Sequence, residues 1–255
     1  MSGVFNRLDN GLACRPVDAE SRNRALLSIG TWSILGTLLN RPETGRKAFE
    51  MGFLNELAAG SILFAKNMMG FYVLEGLIKE WSLRGIDCSY EALIKEAMNA
   101  PEFGLHIDVN DPVFFSPVSM EDTLLEYLKK RGQKGDSTPK VVRSIFESLA
   151  FSFKEAISSL ELITGEMIDE LLILGGGVKN RLLCRMAADA CGINVITGPS
   201  EATVIGNLGL QAVATGRLDS VNVLHELIKT SFPGTIYSPS NDKKWDKHKE
   251  QRKGL

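Results

Sequence analysis

The sequence predicts an α/β fold rich in helix, and two stretches carry that expectation. Glu170 to Leu174 is a short apolar run, followed by the triple glycine Gly175 to Gly177, a helical stretch Asn180 to Ala190 and a second apolar run, Ile193 to Thr197. Strand, glycine turn, helix and strand in that order describe a parallel layer whose ligands meet the carboxyl ends of the strands. Upstream, Ala25 to Thr37 (ALLSIGTWSILGT) is apolar and β-compatible around a Gly-Thr break, which predicts two short strands joined by a tight turn.

Most of the remainder has a helical pattern. From Ser61 to Leu83 the apolar residues Leu63, Phe71, Leu74, Leu77, Ile78 and Trp81 recur at helical spacing, predicting one amphipathic helix of about six turns that ends at Gly85. Tyr90 to Asn99 predicts a short helix stopped by Pro101. The segment IDVNDPVFFSP is punctuated by Pro and Asp, so it reads as an irregular candidate site loop. Ser119 to Lys130 predicts a helix and Arg131 to Thr138 a polar linker. Pro139 then opens a long amphipathic helix through Val142, Ile145, Leu149, Phe153 and Ile157. Glu201 to Thr215 and Ser220 to Thr230 predict two more helices, and the Lys-rich tail after Pro239 reads as a peripheral, solvated helix or frayed end.

Composition narrows the function classes. With 29 Lys and Arg against 31 Asp and Glu, net charge gives no reason to expect nucleic acid or an anionic membrane as partner. Any anion must be held locally. The 4 cysteines, Cys14, Cys88, Cys184 and Cys191, form no CxxC pair, which fits reduced thiols in a cytoplasmic protein and gives no metal site. No stretch reads as a transmembrane or targeting segment.

Three features have chemical content. GGGVKN, from Gly175 to Asn180, lies where a strand ends and a helix begins, so its backbone N–H groups and the helix dipole can converge on a phosphate. It can equally be a turn that packs helix on strand, and it is neither a Walker A loop nor a GxGxxG dinucleotide fingerprint. A dinucleotide-binding oxidoreductase is accordingly disfavoured. Asn67 falls on the helical stripe of Leu63, Phe71 and Leu74, where its amide either anchors a loop or faces a ligand. Glu75 precedes Lys79 at the i, i+4 spacing of an ordinary surface pair.

The blocks SIGTWS, AKNMMG, GGGVKN, ADACGINVITGP and EATVIGNLG, in this order, resemble the FGGY carbohydrate kinases, and within them the rhamnulokinases; the resemblance covers almost the whole chain. It implies an actin-like, ribonuclease-H-like fold, helix-rich with a mixed sheet, of which residues 1 to 255 are the C-terminal domain only. It also implies ATP with Mg2+ as cofactors, and a small sugar, a ketose such as L-rhamnulose, as substrate. A missing N-terminal kinase domain, in the same gene or a separate chain, is the implied partner. Counting back without a gap from Thr31 to the family's catalytic aspartate lands on Asp9, with Leu8 and Asn10 standing where the family has His and Thr.

By the same transfer Gly30, Thr31, Gly175, Gly176, Gly177 and Asn180 are nucleotide-binding, and Asn67 and Asn10 substrate-binding. Gly176 is expected at positive φ. Glu75 occupies the place of a glutamine near ATP, so a carboxylate would repel phosphate there unless magnesium or Lys79 intervenes. The family's NEGG is NELA here, without glycine at Leu57 and Ala58, and Ala187 stands where one relative has a cysteine partner for Cys191. MSGVFNRL, before Asp9, does not read as the expected apolar strand, so the start reads as a truncation, a mis-assigned start or a split gene. The competing expectation is a non-catalytic nucleotide-binding subunit or degenerate kinase fragment.

Overall fold

The computed structural model of the protein describes residues 23–58, 61–240 and 242–252. In chain order its elements begin β1 (Arg24–Ile29), β2 (Trp32–Leu39), α1 (Arg46–Glu50), β3 (Phe53–Ala58), β4 (Ser61–Met69), α2 (Tyr72–Leu83) and α3 (Tyr90–Asn99). A 3-10 turn (Pro112–Phe114) leads to α4 (Met120–Lys130), α5 (Thr138–Thr164) and β5 (Glu170–Leu174). A second 3-10 turn (Gly176–Lys179) leads to α6 (Arg181–Cys191), β6 (Asn194–Thr197), α7 (Ala202–Ala214), α8 (Val221–Ser231), β7 (Ile236–Tyr237) and α9 (Lys244–Arg252).

Among the described residues the strands form one seven-stranded mixed sheet in the order β3-β4-β2-β1-β5-β6-β7. β1, β5 and β6 run parallel, as the strand–glycine–helix–strand pattern predicts, while β1–β2, β2–β4 and β3–β4 are antiparallel. Alternation along β1 sends Ala25, Leu27 and Ile29 into a large core with Phe146 and Phe153 of α5 and Leu183 of α6. Leu26 goes to the opposite face, with Ile34, Leu63, Ala65, Leu172 and Leu174, under Ala202 of α7 and Leu224 and Ile228 of α8. Both faces of the central strands are therefore covered, which is why they read as continuous apolar runs.

That double cover explains one departure from the sequence pattern. Ser61 to Leu83 is not a single helix: Ser61–Met69 is strand β4, Gly70 turns the chain, and the helix starts only at Tyr72. Leu63, Phe64 and Ala65 are all buried, so β4 lacks the alternation that marks a strand, and periodicity cannot separate such a run from a buried helix. Its identity is set by long-range pairing, with β2 from Trp32↔Met69 to Leu39↔Ile62 and with β3 from Phe53↔Lys66 to Ala58↔Ser61. Leu57 and Ala58, in place of the family's glycines, lie in β3. Leu57 is exposed.

The terminal helix α9 is held to the body through its indole. Trp245 is buried, edge-on to Phe103 at 5.0 Å and tilted on Phe151 at 4.9 Å. Lys154–Asp246 at 2.6 Å and Lys244–Glu102 at 2.7 Å flank it. Among the described residues no helix is long and apolar enough to cross a membrane. Cys88, Cys184 and Cys191 are free thiols, and burial pushes Cys184 and Cys191 up to about 12.

Glu80 of α2 joins two helices. Its carboxylate accepts from Met120 N at 2.7 Å, Glu121 N at 3.0 Å and Ser119 Oγ at 3.1 Å, satisfying orphan donors at the start of α4. Burial pushes its pKa up, but the hydrogen bonds from Glu121, Met120 and Ser119 and the charge of Arg84 outweigh this and hold it below the ordinary value. A carboxyl with a lowered folded-state pKa contributes stability above its unfolded pKa and loses it as pH falls through the folded value. Glu80→Gln should therefore cost on the order of 1 kcal/mol at pH 7, as loss of a helix cap does. In urea melts the gap from wild type should close as the pH falls below about 4. A gap that stays constant down to pH 3 would assign the effect to packing.

Candidate functional site

The parallel pairing of β1, β5 and β6 brings their carboxyl ends to one edge, and three turns gather there. The first is Gly30-Thr31, between β1 and β2. Phe71 N donates to Gly30 O at 2.8 Å, and Gly70 N and Tyr72 N donate to Thr31 O at 3.1 and 3.2 Å, so the β4–α2 corner sits directly on this turn. A Cβ on Gly70 would lie 2.3 Å from Gly30 O, a distance only glycine avoids. Thr31 Oγ1 donates to Glu75 Oε1 at 3.3 Å. Glu75 thus pairs with Thr31 in place of the i+4 partner, Lys79, that its spacing predicts.

The second turn is the glycine triplet, whose members have three different physical roles. Gly175 has φ +79 and supplies the left-handed residue that ends β5; its N–H donates to Pro199 O at 3.3 Å. Gly177 is buried, and a Cβ there would lie 2.6 Å from Ile29 Cβ. Gly176 is exposed, is not at positive φ, and a Cβ on it would have nothing within 4 Å. The positive φ expected at the middle glycine belongs to its predecessor, because the chain reverses as it leaves β5, one residue earlier. The third turn, Gly198-Pro199 after β6, braces the second: Gly198 N donates to Ile173 O at 2.8 Å.

Asn180 lies behind the triplet, fully buried, as the N-cap of α6. Its Oδ1 accepts from Leu183 N at 3.0 Å, while Nδ2 has no hydrogen-bond partner among the described residues. The Tyr90 hydroxyl, also buried and without a partner, faces it. Burial pushes the Tyr90 phenol well above its ordinary pKa, the Asn180 amide opposes that rise without reaching hydrogen-bond geometry, and the Glu75 charge adds to it. Tyr90 stays protonated, edge-on to Phe71 at 5.7 Å.

Asn67 is exposed on β4, opposite Ile34 and two residues back from the Trp32–Met69 pair at the site edge. It is not on a buried helical stripe, so its amide carries no desolvation cost. Gly30, Thr31, Glu75, Gly175, Gly176, Gly177 and Asn180 therefore converge, with Asn67 two strands away from β1. Asp9 and Asn10 lie outside the described residues. Among the described residues no group of three His, Cys, Asp or Glu side chains is placed to hold a metal ion.

Gly70, Tyr90 and Asn110 belong to this site and carry no signal of their own in the sequence beyond the MMG and NDP turn residues. Asn110 Oδ1 accepts from Met69 N at 3.1 Å, and its Nδ2 donates to Ser152 Oγ at 2.7 Å. It ties the IDVNDPVFFSP segment, irregular apart from its 3-10 turn, to the end of β4 and to α5.

A mixed sheet covered by helices on both faces, with glycine turns at the carboxyl ends of its parallel strands, defines an α/β domain of the class that binds its ligands at that edge. The family model for the C-terminal domain of the FGGY family of carbohydrate kinases matches residues 25–215, and the chain belongs to that family. Within it the chain is 37% identical over 240 residues to the rhamnulokinase of Bacteroides thetaiotaomicron, covering 93% of this chain and 49% of the relative. It is 34% identical over 249 residues to the rhamnulokinase of Lactiplantibacillus plantarum, covering 97% and 50%. The chain thus spans about half the length of the curated relatives it matches.

Solved structures share the actin-like, ribonuclease-H-like fold at low identity. Xylulose kinase from Rhodospirillum rubrum superposes with TM-score 0.68 at 14% identity, over 98% of this chain and 49% of that one. Glycerol kinase from Plasmodium falciparum with ADP gives 0.67 at 15%, over 98% and 48%.

The glycine roles are separable by stability. Gly177→Ala should cost roughly 1–3 kcal/mol through overpacking on Ile29, and Gly176→Ala should stay within about 0.5 kcal/mol of wild type. Urea melts of the two variants decide this; equal losses would mean that Gly176 is also needed by the fold.

Proposed function

We propose that this chain is the nucleotide-binding, C-terminal half of an ATP-dependent sugar kinase acting on a ketose such as L-rhamnulose, and that it needs an N-terminal half for turnover. The observation that carries the reading is Gly176: an exposed glycine that neither its conformation nor packing among the described residues requires, at the carboxyl edge of a parallel sheet and before a helix N-terminus. A position kept free of side chain for no internal reason fits the close approach of a ligand, and the turn's chemistry favours phosphate.

The nucleotide phosphates would then be held by Gly30, Thr31 and the Gly175–Gly177 backbone, with Asn180 fixing the start of α6. Magnesium keeps several waters and takes one or two carboxylates together with substrate phosphates, a manner of binding that Glu75 beside Thr31 suits, and when bound it offsets phosphate charge. Asp9 would take the proton from the attacking sugar hydroxyl. The N-terminal half would supply most of the sugar pocket and, on closing, exclude water. It would also cover α7, a helix without a charged side chain on which Val204 and Leu208 are exposed.

A second reading, a non-catalytic nucleotide-binding subunit or degenerate fragment, is favoured by Glu75. Its exposed carboxylate stands beside the threonine meant for phosphate, with Thr31 as its partner.

Two measurements test the proposal. Gly176→Val should abolish ADP binding by calorimetry while leaving the melting temperature close to wild type; unchanged affinity would assign the turn to packing. Co-expressed with the N-terminal half of a rhamnulokinase relative, the chain should phosphorylate a member of a ketose panel. Asp9→Asn should lower that rate by about 10²–10⁴-fold with ATP binding nearly intact. A wild-type rate in that variant would place the base elsewhere, and ADP binding without phosphorylation of any ketose would favour the subunit reading.

A further inference from the structure

Trp32 follows Thr31 directly and opens β2, a strand whose next five residues are buried, yet it is 44% exposed. Its indole lies over Tyr72 at 6.2 Å between ring centroids with 29° between planes, and meets Phe115, itself 50% exposed, at 6.1 Å and 44°. The Tyr72 hydroxyl donates to Phe115 O at 3.4 Å. These rings come from three separate places in the chain: the start of β2, the first residue of α2, and the segment after α3.

Each is held from beneath. Tyr72 N donates to Thr31 O. Phe115 is presented by the 3-10 turn, where Asp111 Oδ1 accepts from Val113 N at 3.0 Å and buried Phe114 packs on Tyr127 at 5.0 Å. Asn110 clamps that segment to β4 and α5. The result is a fixed aromatic shelf, open on one side, bordered by the Thr31 hydroxyl and the Glu75 carboxylate.

Its place in the sheet says what it would meet. In the order β4-β2-β1-β5 the shelf lies on the β2 side of Thr31 and the glycine triplet on the β5 side. On the kinase reading, a phosphate chain held between Gly176 and Thr31 has one end on the β5 side and the other on the side of the rings, and it is the ring side that is assigned here to the group receiving phosphate. Aromatic rings take the C–H face of a polyhydroxylated molecule on their negative π-surface and shed water from apolar area, while bordering polar groups bond its hydroxyls.

We propose that Trp32, backed by Tyr72 and Phe115, is a stacking surface for the acceptor sugar, with hydroxyls directed to Glu75 or Thr31. This rests on the kinase reading above, and the shelf is a contact this half contributes to a pocket completed by the other.

In the co-expressed pair of halves, Trp32→Ala should raise the KM for the ketose roughly three- to tenfold, the factor a lost ring contact carries. Trp32→Phe should restore most of it, and the KM for ATP and the association of the halves should not change. A rise shared by ATP, or weaker association of the halves, would overturn the proposal and make the shelf a nucleotide or domain-docking face. No change would overturn it outright. If the pair is inactive, acrylamide quenching of the ADP-saturated pair, with the tryptophans of the N-terminal half replaced by phenylalanine, decides, because Trp81 and Trp245 are each 4% exposed and the quenchable signal is that of Trp32. Shielding by L-rhamnulose supports the shelf; none overturns it, and ADP binding in the same sample shows whether the kinase reading has failed with it.

Discussion

Ile29 is where the Gly30-Thr31 turn and the glycine triplet are fixed against each other. It is the last residue of β1, fully buried, and Gly177 closes on its side chain while Gly175 lies over its carbonyl. Gly30-Thr31 begins one residue later. Because protein interiors are close-packed and yield little, the spacing between the turns is set by this one contact and by the parallel β1–β5 ladder beneath it. A methyl group at Gly177 would push the triplet away from Thr31 as well as strain the core. The glycines of GGG are thus unequal: one makes the turn, one makes the contact, and the middle one is left open.

The second constraint is electrostatic. Thr31 has its hydroxyl engaged by Glu75, so a phosphate approaching Thr31 meets a carboxylate at the same point. Like charges repel there unless a cation intervenes or the Glu75 side chain, which is exposed, swings away. Glu75 also raises the pKa of buried Tyr90, which links the surface charge to the polar pair behind the glycine turn. The choice between the two readings proposed above, catalytic half or binding subunit, therefore turns on this carboxylate more than on the fold.

How much of this could be read from the sequence depended on how local each feature is. The paired strands around Gly30-Thr31, the β5–glycine–α6–β6 unit and the long helix after Pro139 are written in turn residues and short-range pattern, and they stand as expected. β4 is not local: buried on both faces, it has no alternation, and only its register with β2 and β3 makes it a strand. Moving Asn67 from a helix stripe to an exposed strand position follows from that single error. The φ of Gly176 was misplaced because a triplet does not say which of its members reverses the chain. Least legible was the shelf, whose rings at 32, 72 and 115 meet only after three separate segments have packed.

The polar groups behind the triplet bear on how the turn is held. An unpaired buried donor costs about 1–3 kcal/mol, and among the described residues Asn180 Nδ2 and the Tyr90 hydroxyl are both without partners. What offsets this is the other end of the same amide, which caps α6 through Leu183 N. With this cap supplied from inside, the first-turn N–H groups of α6 not taken up by Asn180 are left without a capping side chain from the solvent side. An interior asparagine holds the helix start in place and leaves the solvent side clear for the phosphate proposed there, so the buried polar pair and the exposed glycine are two sides of one arrangement.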